Sequence, residues 1–386
     1  MKRRCFALAA ALATALAVCG GQVKVDRALL DGLLRLPSES GNAAELARAV
    51  DYMRDWLAGH GLHCTVETNN AGRLGLYAAT TPGKRHDYLF VSHIDVIKAP
   101  KCMYTPRYEG DKVFARGACD TKGNVAAVCS AMAAMVGKGA SVGLFLATDE
   151  EGGKAGLATP QMMIDRGYLP NRLILVGDSA GEEPGQLFTA EKGHAHIDMI
   201  AHGKGGHSSR PWALDNPIPK LFEAYLRFKA AWDPDAAPNE HWRTVLSPTI
   251  LKSSDVANVV ADTATMHFSC RYTTMAEYER AVKALKATGL EIKARPGRRP
   301  VENRPGDQEI AALLKAMDAA IPGGIREGKM SAATDASYYV QAGLPIVIFA
   351  ADGGEPHSDR EWGSLSSLDA YADFFSSYFI TKTERN

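Results

Sequence analysis

One apolar run of the chain ends in a histidine and an aspartate two residues apart. Asp87–Ser92 is typical of a buried strand, and His93-Ile94-Asp95 follows it directly. A histidine at a strand end can bind a metal ion through one ring nitrogen while an acceptor orients the other nitrogen. Asp95 lies on the same face of the strand and is the candidate acceptor. Taken alone, a histidine in this position is more often an ordinary polar residue.

A second carboxylate lies in a glycine-flanked turn. The segment Ala115–Gly123 places Asp120 just before a predicted helix, Lys122–Lys138. A carboxylate there can cap the helix by accepting hydrogen bonds from its first N–H groups. It can also bind a metal ion, and the segment by itself favours neither role.

Three adjacent carboxylates follow another apolar run, Val142–Thr148. Asp149, Glu150 and Glu151 repel one another at a strand end unless a cation compensates their charge. A solvated acidic turn is the alternative, and it is disfavoured because an apolar strand leads directly into it. Consecutive glutamates also suit a division of labour, in which one binds a metal ion and its neighbour takes a proton from water.

Two further ligand candidates follow apolar runs later in the chain. Asp178 comes after Leu173–Gly177, and His357 lies in the segment Gly354–Asp359, beyond the run Pro345–Phe349. The chain therefore offers two histidines and three carboxylates as ligands, with one glutamate to spare. A mixed set of this kind suits zinc, with cobalt or manganese as substitutes. We expect two divalent metal ions, bridged by one carboxylate.

Alternating strands and helices must position these residues. Helical periodicity covers Val25–Leu36 and Ala43–His60, and the apolar strands that follow alternate with further helices. This pattern predicts an α/β domain with a mostly parallel sheet sandwiched by helices. In such sheets, functional sites form at the carboxyl ends of the strands, which is where the candidate ligands lie.

The pattern changes near Lys192-Gly193. Alternating segments at His196–Ile200 and Ala264–Ser269 occur together with helical segments at Pro217–Ala231 and Met275–Ala287. We predict an inserted α+β lid or dimerisation domain with an antiparallel sheet. The predicted organisation is a leader at 1–19, a catalytic metal-binding domain at 20–193 and 297–386, and an inserted domain at 194–296.

The first residues have the features of a bacterial signal peptide. A basic stretch, Lys2–Arg4, precedes an apolar run, Phe6–Val18, that is too short to span a bilayer. Ala15–Ala17 is a candidate cleavage site, and the segment around Cys19 is similar to a lipoprotein signal except at Val18. We predict export to the periplasm or a membrane-anchored lipoprotein, and no transmembrane span. The alternative is an alanine-rich first helix of a cytoplasmic protein.

Composition argues against other classes of partner. The chain has 386 residues, 44 basic and 44 acidic side chains and a formal net charge of zero. No basic patch stands out, so we predict no nucleic-acid partner. Five of the seven cysteines lie beyond the leader and none form a C-x-x-C pair, so a disulfide framework is not expected.

Taken together, these motifs resemble the metallopeptidase family of acetylornithine deacetylase, succinyl-diaminopimelate desuccinylase, aminoacylase and bacterial glutamate carboxypeptidase. The match runs from about Leu29 to Phe379, and five separated segments appear in family order. The resemblance implies the following roles: His93 and Asp178 on one metal ion, Asp120 bridging both, Glu151 and His357 on the second, Glu150 as general base, and a cis peptide bond at Asp120–Thr121.

The resemblance also implies functional residues in the insert. His207, in Gly205–Ser209, would polarise the scissile carbonyl; Asn258 would contact the substrate; and Arg271 would bind the substrate carboxylate, with Arg298 or Arg299 assisting. A guanidinium suits that role because it can donate two parallel hydrogen bonds to a carboxylate. In dimeric members of the family the insert forms the subunit interface, so a homodimer is expected, with His207 serving the partner's site.

The resemblance leaves the substrate subclass open. Asp178 stands where deacylases and carboxypeptidases of the family usually have Glu, and Thr189–Gly193 is similar to dipeptidase sequences. A turn that is glycine-rich in the family reads Ser331-Ala332-Ala333-Thr334-Asp335 here, which would either narrow the pocket or change backbone hydrogen bonding to the substrate carboxylate. We predict a carboxypeptidase or N-acyl-amino-acid deacylase acting on a small peptide or N-acyl amino acid. A dipeptidase is the alternative, and a non-catalytic binding homologue is a remote one because every ligand candidate and Glu150 are present.

Overall fold

The computed structural model describes residues 22–152, 158–178, 185–232 and 241–384. The predicted leader, 1–19, lies outside these residues. Within them, none of the helices combines the length and the apolar character that crossing a membrane requires.

Helices and strands alternate over most of the described chain. The helices are α1 (Arg27–Leu34), α2 (Ala43–Gly59), α3 (Lys122–Met135), α4 (Thr159–Asp165), α5 (Pro217–Ala231), α6 (Met275–Lys286), α7 (Gln308–Ala320), α8 (Ala336–Tyr339) and α9 (Leu365–Glu384). The strands are β1 (His63–Thr68), β2 (Leu74–Ala79), β3 (Tyr88–His93), β4 (Arg107–Glu109), β5 (Lys112–Phe114), β6 (Val142–Ala147), β7 (Leu173–Gly177), β8 (Gln186–Glu191), β9 (Gly193–His202), β10 (Gly206–His207), β11 (Val245–Lys252), β12 (Val259–Val260), β13 (Thr263–Tyr272), β14 (Glu291–Pro296), β15 (Val301–Glu302), β16 (Arg326–Met330), β17 (Ile346–Phe349), β18 (Gly353–Gly354) and β19 (Trp362–Ser364).

The chain divides into two compact units. The first runs to Thr189 and includes Asn303–Gly328 and the chain from Thr334 onward. The second comprises Ala190–Glu302 and Lys329–Ala333. The insert predicted at 194–296 falls within the second unit.

The first unit is built on a sheet that is parallel at its centre. Its strands run in the order β1-β2-β6-β3-β7-β17-β8, and the neighbours β6, β3, β7 and β17 are parallel. Strands β1, β2 and β8 pair antiparallel at the two sides. Every residue of the four central strands is buried. The predicted α/β class with a mostly parallel central sheet is confirmed.

Helices cover this sheet because small and aromatic side chains let them approach closely. Half of the residues of helix α3 are Gly, Ala or Ser, and the helix is buried on almost every side and packs against β3 and α9. Phe90 of β3 lies edge-on to Phe375 and Phe379 of α9, with ring centroids 4.9 and 5.7 Å apart. The helix ends at Met135 rather than at the predicted Lys138, because Gly137 turns the chain with φ +72°.

A small antiparallel sheet joins two loops of the first unit. Its order is β18-β19-β5-β4. Strand β5 leads into the Ala115–Asp120 turn, and the loop between β18 and β19 contains His357. Two candidate ligands that are distant in sequence are therefore carried by one sheet.

The second unit has its own sheet and core. Four antiparallel strands run in the order β11-β13-β9-β14, and helices α5 and α6 pack against this sheet. Alternate residues of β9 and β13 point into a separate apolar core, as the predicted period-2 pattern requires. A two-stranded ribbon, β10 with β12, pairs His207 with Val259.

Candidate metal centre

His93 is the last residue of β3, one residue beyond the strand predicted from sequence. It is 1% exposed, and its Nδ1 donates to the backbone carbonyl of Asp95 at 2.9 Å. An imidazole whose Nδ1–H is engaged in this way presents the Nε2 lone pair. That Nε2 is buried and has no hydrogen-bond partner among the described residues. It lies 3.3 Å from Asp120 Oδ1 and 3.5 Å from Asp178 Oδ1.

The Asp95 carboxylate has a contact that sequence reasoning did not anticipate. It lies 3.5 Å from His93 Nδ1, farther than the backbone carbonyl of the same residue. Its two oxygens accept from the backbone N–H groups of Glu150 at 3.2 Å and Glu151 at 3.1 Å, and from Ser40 Oγ at 2.5 Å. Asp95 therefore holds the turn that carries both glutamates.

Asp120 lies between the two histidines. Its Oδ1 faces His93, and its Oδ2 is 3.2 Å from His357 Nε2. The Asp120–Thr121 peptide bond is cis, as the resemblance implies. A carboxylate that presents one oxygen to each imidazole has the arrangement of a bridging ligand.

Glu151 and His357 complete the second side of the cluster. Glu151 follows β6 and places Oε1 3.0 Å from His357 Nε2. His357 lies in the loop between β18 and β19 with φ +63°, a backbone conformation that is uncommon for a residue other than glycine. Its side chain is 51% exposed, whereas His93 is enclosed, so the cluster opens to solvent on the His357 side.

The carboxylates of the cluster raise the pKa values of the two histidines. Although burial lowers it, the neighbouring carboxylates, Asp178 foremost, raise the pKa of His93 well above its ordinary value. Hydrogen bonds to Asp120 and Glu151 raise the pKa of His357 to about 10. Burial would raise the pKa of Asp120, but its contacts with the two histidines hold it below its ordinary value. The electrostatic potential of the site therefore favours the binding of positive charge.

These donors fit two divalent metal ions. Within each of two groups, one ligand atom per residue lies within 4.8 Å of the others, and the groups share Asp120. The groups are His93, Asp120 and Asp178, and Asp120, Glu151 and His357. The orphaned Nε2 of His93 and the mixture of imidazole and carboxylate donors are what zinc, cobalt or manganese require.

The remaining predicted residues lie in the second unit. His207 is exposed, and its Nδ1 accepts from the Ser209 backbone N–H at 3.2 Å. Asn258 is also exposed, and its backbone carbonyl accepts from Ser208 N–H at 2.9 Å. Arg271 is half-buried and forms no ion pair or hydrogen bond with another described residue. Burial lowers the pKa of Arg271, and Glu191 opposes that effect.

The two adjacent arginines that could assist Arg271 differ in their surroundings. Arg298 is half-buried and donates through Nη1 to the carbonyl of Ala333 at 3.3 Å. Arg299 is exposed. The Ser331–Asp335 turn noted in the sequence is thus tied to Arg298 through its third residue.

The family model for peptidase family M20/M25/M40 matches residues 89–381. The chain belongs to that family. It is a metal-dependent amidohydrolase, and the metallopeptidase resemblance drawn from its motifs is confirmed.

Relatives of this M20 protein have related hydrolase activities in their names. The chain is 23% identical to succinyl-diaminopimelate desuccinylase of Wolinella succinogenes over 356 residues, covering 89% of this chain and 95% of that protein. It is 28% identical over 188 residues to a LysW-lysine/LysW-ornithine hydrolase of Sulfurisphaera tokodaii. That match covers 48% of this chain and only about half, 49%, of the relative.

Solved M20 structures share the fold. A tripeptidase from Staphylococcus aureus superposes with a TM-score of 0.75 at 16% identity, covering 95% of this chain and 100% of that one. A dinuclear metal-binding peptidase from Bacillus subtilis superposes with a TM-score of 0.68 at 15% identity, covering 98% and 99%.

The two adjacent glutamates should differ in what their loss does. Glu151→Ala should lower the number of divalent ions bound, because it removes a donor beside His357. Glu150→Ala should keep the ions and lower the hydrolysis rate by about 10²–10⁴-fold, the usual contribution of a general base. Metal content after dialysis and single-turnover rates check both statements. Equal metal loss in the two variants would contradict the assigned roles.

Proposed function

We propose that this M20 enzyme hydrolyses an amide bond next to a free carboxylate in a small peptide or N-acyl amino acid, with two divalent metal ions, zinc foremost. The observation that carries the proposal is the pair of ligand groups that share Asp120, with Glu150 next in sequence to one ligand. Acyl transfer to water is the reaction that such a site and a neighbouring carboxylate base can perform.

The cluster divides into two holding sites in this proposal. One ion would be held by His93 and Asp178, the other by Glu151 and His357, with Asp120 between them. When bound, the ions would supply Lewis-acid charge that makes water more acidic and polarises the scissile carbonyl. Every other function at the site falls to the protein's own groups.

Glu150 would act as the general base. Its backbone N–H is fixed by Asp95 at 3.2 Å, in the turn that also positions Glu151. Because the neighbouring residue takes the ligand position, the Glu150 carboxylate is the one assigned to protons. It would take a proton from the attacking water and return it to the leaving nitrogen.

His207 would stabilise the oxygen of the scissile carbonyl. Since Nδ1 accepts from the Ser209 N–H, the ring proton of neutral His207 lies on Nε2. An Nε2–H that is exposed rather than engaged can donate to the negative charge that develops on that oxygen.

Arg271 would bind the substrate carboxylate. Burial of the Arg271 guanidinium is offset only in part by the charge of Glu191, and a substrate carboxylate would accept two parallel hydrogen bonds from it. Asn258 would contribute a further contact to the substrate. Asp178 and the Thr189–Gly193 segment favour a dipeptidase as the second candidate, and dipeptides also carry the required carboxylate.

A substrate panel tests the carboxylate requirement. Of N-acetyl amino acids, N-succinyl-diaminopimelate, acyl-glutamates and dipeptides, at least one class should be hydrolysed with added zinc or cobalt, and a chelator should abolish the activity. Replacing the free carboxylate by a carboxamide should lower kcat/KM by about 10–100-fold, the scale of one charge-assisted hydrogen bond.

Arg271→Met should remove that preference for the carboxylate. Arg295→Met is the matched control, because Arg295 lies in the same unit and already pairs with Asp198. An unchanged carboxylate preference in Arg271→Met would refute the assignment.

We also propose a homodimer formed through the second unit. Ile218, Phe222 and Leu226 are spaced by four along α5 and are 38%, 43% and 61% exposed, so they form one apolar stripe. Strand β11 is an edge of the sheet and exposes Ile250 and Leu251, at 49% and 52%. An unpaired edge beside exposed apolar side chains is typical of a surface that another chain covers.

Subunit mixing tests whether His207 serves the partner's site. Separately inactive His207→Ala and Glu150→Ala proteins should regain activity when mixed, because one site of the mixed dimer combines Glu150 from one chain with His207 from the other. Activity should approach a quarter of the wild-type level if exchange is statistical, on the order of one competent site in four. Proven exchange without recovered activity would favour His207 acting in its own chain.

We further propose that residues 1–19 direct export to the periplasm. The mature chain should then begin near Val18, or at a lipidated Cys19. Mass spectrometry of the protein recovered from cell fractions measures this. Intact Met1 protein in the cytoplasm would instead support the alanine-rich helix.

A further inference from the structure

A buried ion pair lies behind the loop that carries Asp120. Glu361 is 0% exposed and Arg116 is 2% exposed. Arg116 Nη1 donates to Glu361 Oε2 at 2.5 Å. Neither residue belongs to the two groups of ligand candidates.

The other oxygen of Glu361 accepts hydrogen bonds from backbone amides of the Asp120 loop. Glu361 Oε1 accepts from the N–H groups of Gly117 at 2.9 Å, Cys119 at 3.2 Å and Asp120 at 3.1 Å. This turn lies between β5 and α3, so its amides have no sheet or helix partner of their own. One carboxylate therefore satisfies three backbone donors, two of them buried, and fixes the backbone of the bridging residue.

Burying the Glu361 carboxylate beside Asp120 is electrostatically unfavourable. Burial raises the pKa of Glu361, and the nearby Asp120 carboxylate adds to that effect, while the backbone amides and Arg116 oppose it. A second carboxylate beside Asp120 repels it, so packing alone would favour a neutral side chain. A requirement for the amide contacts accounts for a charged residue at this position.

The same residue connects the Asp120 loop to the loop of His357. Glu361 follows His357 by four residues and directly precedes β19, which pairs with β5. Its own backbone carbonyl accepts from Ala115 N–H at 3.3 Å. Main chain and side chain of Glu361 thus hold both ends of the Ala115–Asp120 turn.

The turn itself is shaped for this contact. Gly117 has φ +87°, and a Cβ there would meet Lys122 Cδ at 2.8 Å. Lys122 is fully buried, and its Nζ donates to the carbonyl of Leu36 at 2.6 Å. The turn is therefore packed on one side by the Lys122 stem and hydrogen-bonded to Glu361.

We propose that Glu361 is a positioning residue for the metal centre. Through three backbone amides it sets where the Asp120 carboxylate lies relative to His357, and Arg116 orients the Glu361 carboxylate. It touches neither substrate nor reacting atoms. The inference rests on the proposed two-metal function, since it assigns Asp120 and His357 to a shared ion.

Metal binding tests this directly, without reference to turnover. Zn²⁺ and Co²⁺ are titrated calorimetrically into chelator-treated wild-type protein, Glu361→Gln and Glu361→Ala, and the visible spectrum of the Co²⁺ form is recorded. We expect both variants to bind the ions about 10–100-fold more weakly, the usual effect of losing a partner that orients a ligand. The Co²⁺ spectrum should change, because the geometry around Asp120 changes.

Glu309→Gln is the matched control. Glu309 also pairs with an arginine, Arg172, in the first unit, but it is not part of the metal cluster. It should leave ion affinity and the Co²⁺ spectrum at wild-type values, whatever it does to thermal stability. Arg116→Lys keeps the charge opposite Glu361 and should bind the ions more weakly than wild type but more tightly than Glu361→Gln. This pair of variants carries the test if Glu361→Ala does not fold.

The outcomes separate this inference from the proposed function. Wild-type affinity and an unchanged Co²⁺ spectrum in folded Glu361→Gln would overturn the positioning role alone. An equal loss in Glu309→Gln would also overturn it, because the effect would then be general destabilisation. A wild-type protein that binds no divalent ion would overturn the two-metal function and this inference with it.

Discussion

Negative charge gathered at the carboxyl ends of parallel strands is the constraint on which the first unit depends. Four carboxylates, those of Asp95, Asp120, Glu151 and Asp178, surround or adjoin two imidazoles. Such a cluster repels itself unless cations or protons compensate. The raised pKa values of both histidines show how strongly these carboxylates favour positive charge at the site. A buried β-strand framework supplies the rigidity that holds the like charges together.

Local pattern was sufficient to predict the strands that end in ligand candidates. Apolar runs that end in polar residues mark the carboxyl edge of a sheet, and the strands that precede Asp178 and Glu150 were placed nearly to the residue. The order of the strands within the sheet could not be predicted, because strand pairing joins segments that are far apart in sequence. The assignment of ligands to one ion or the other came from family resemblance, since no spacing rule fixes it.

Residues that act through backbone contacts were missed for a physical reason. Glu361 contacts amides more than 240 residues away, and a glutamate in a polar loop has no local signature. Asp95 was expected beside His93, but the amides that it holds belong to a turn 55 residues later. Both interactions depend on which loops the sheets bring together. Sequence pattern reports hydrophobic burial well and polar contacts over long separations poorly.

Two buried carboxylates, those of Asp95 and Glu361, each position one loop of the site. Asp95 fixes the turn of Glu150 and Glu151 after β6, and Glu361 fixes the turn of Asp120 after β5. Each acts on backbone amides, so the ligand side chains stay available for a metal ion. In the proposed function, substrate choice would fall to side chains outside this cluster, such as Arg271. Under that proposal, two proteins of this family could share a metal centre and still differ in the acyl group or residue that they release.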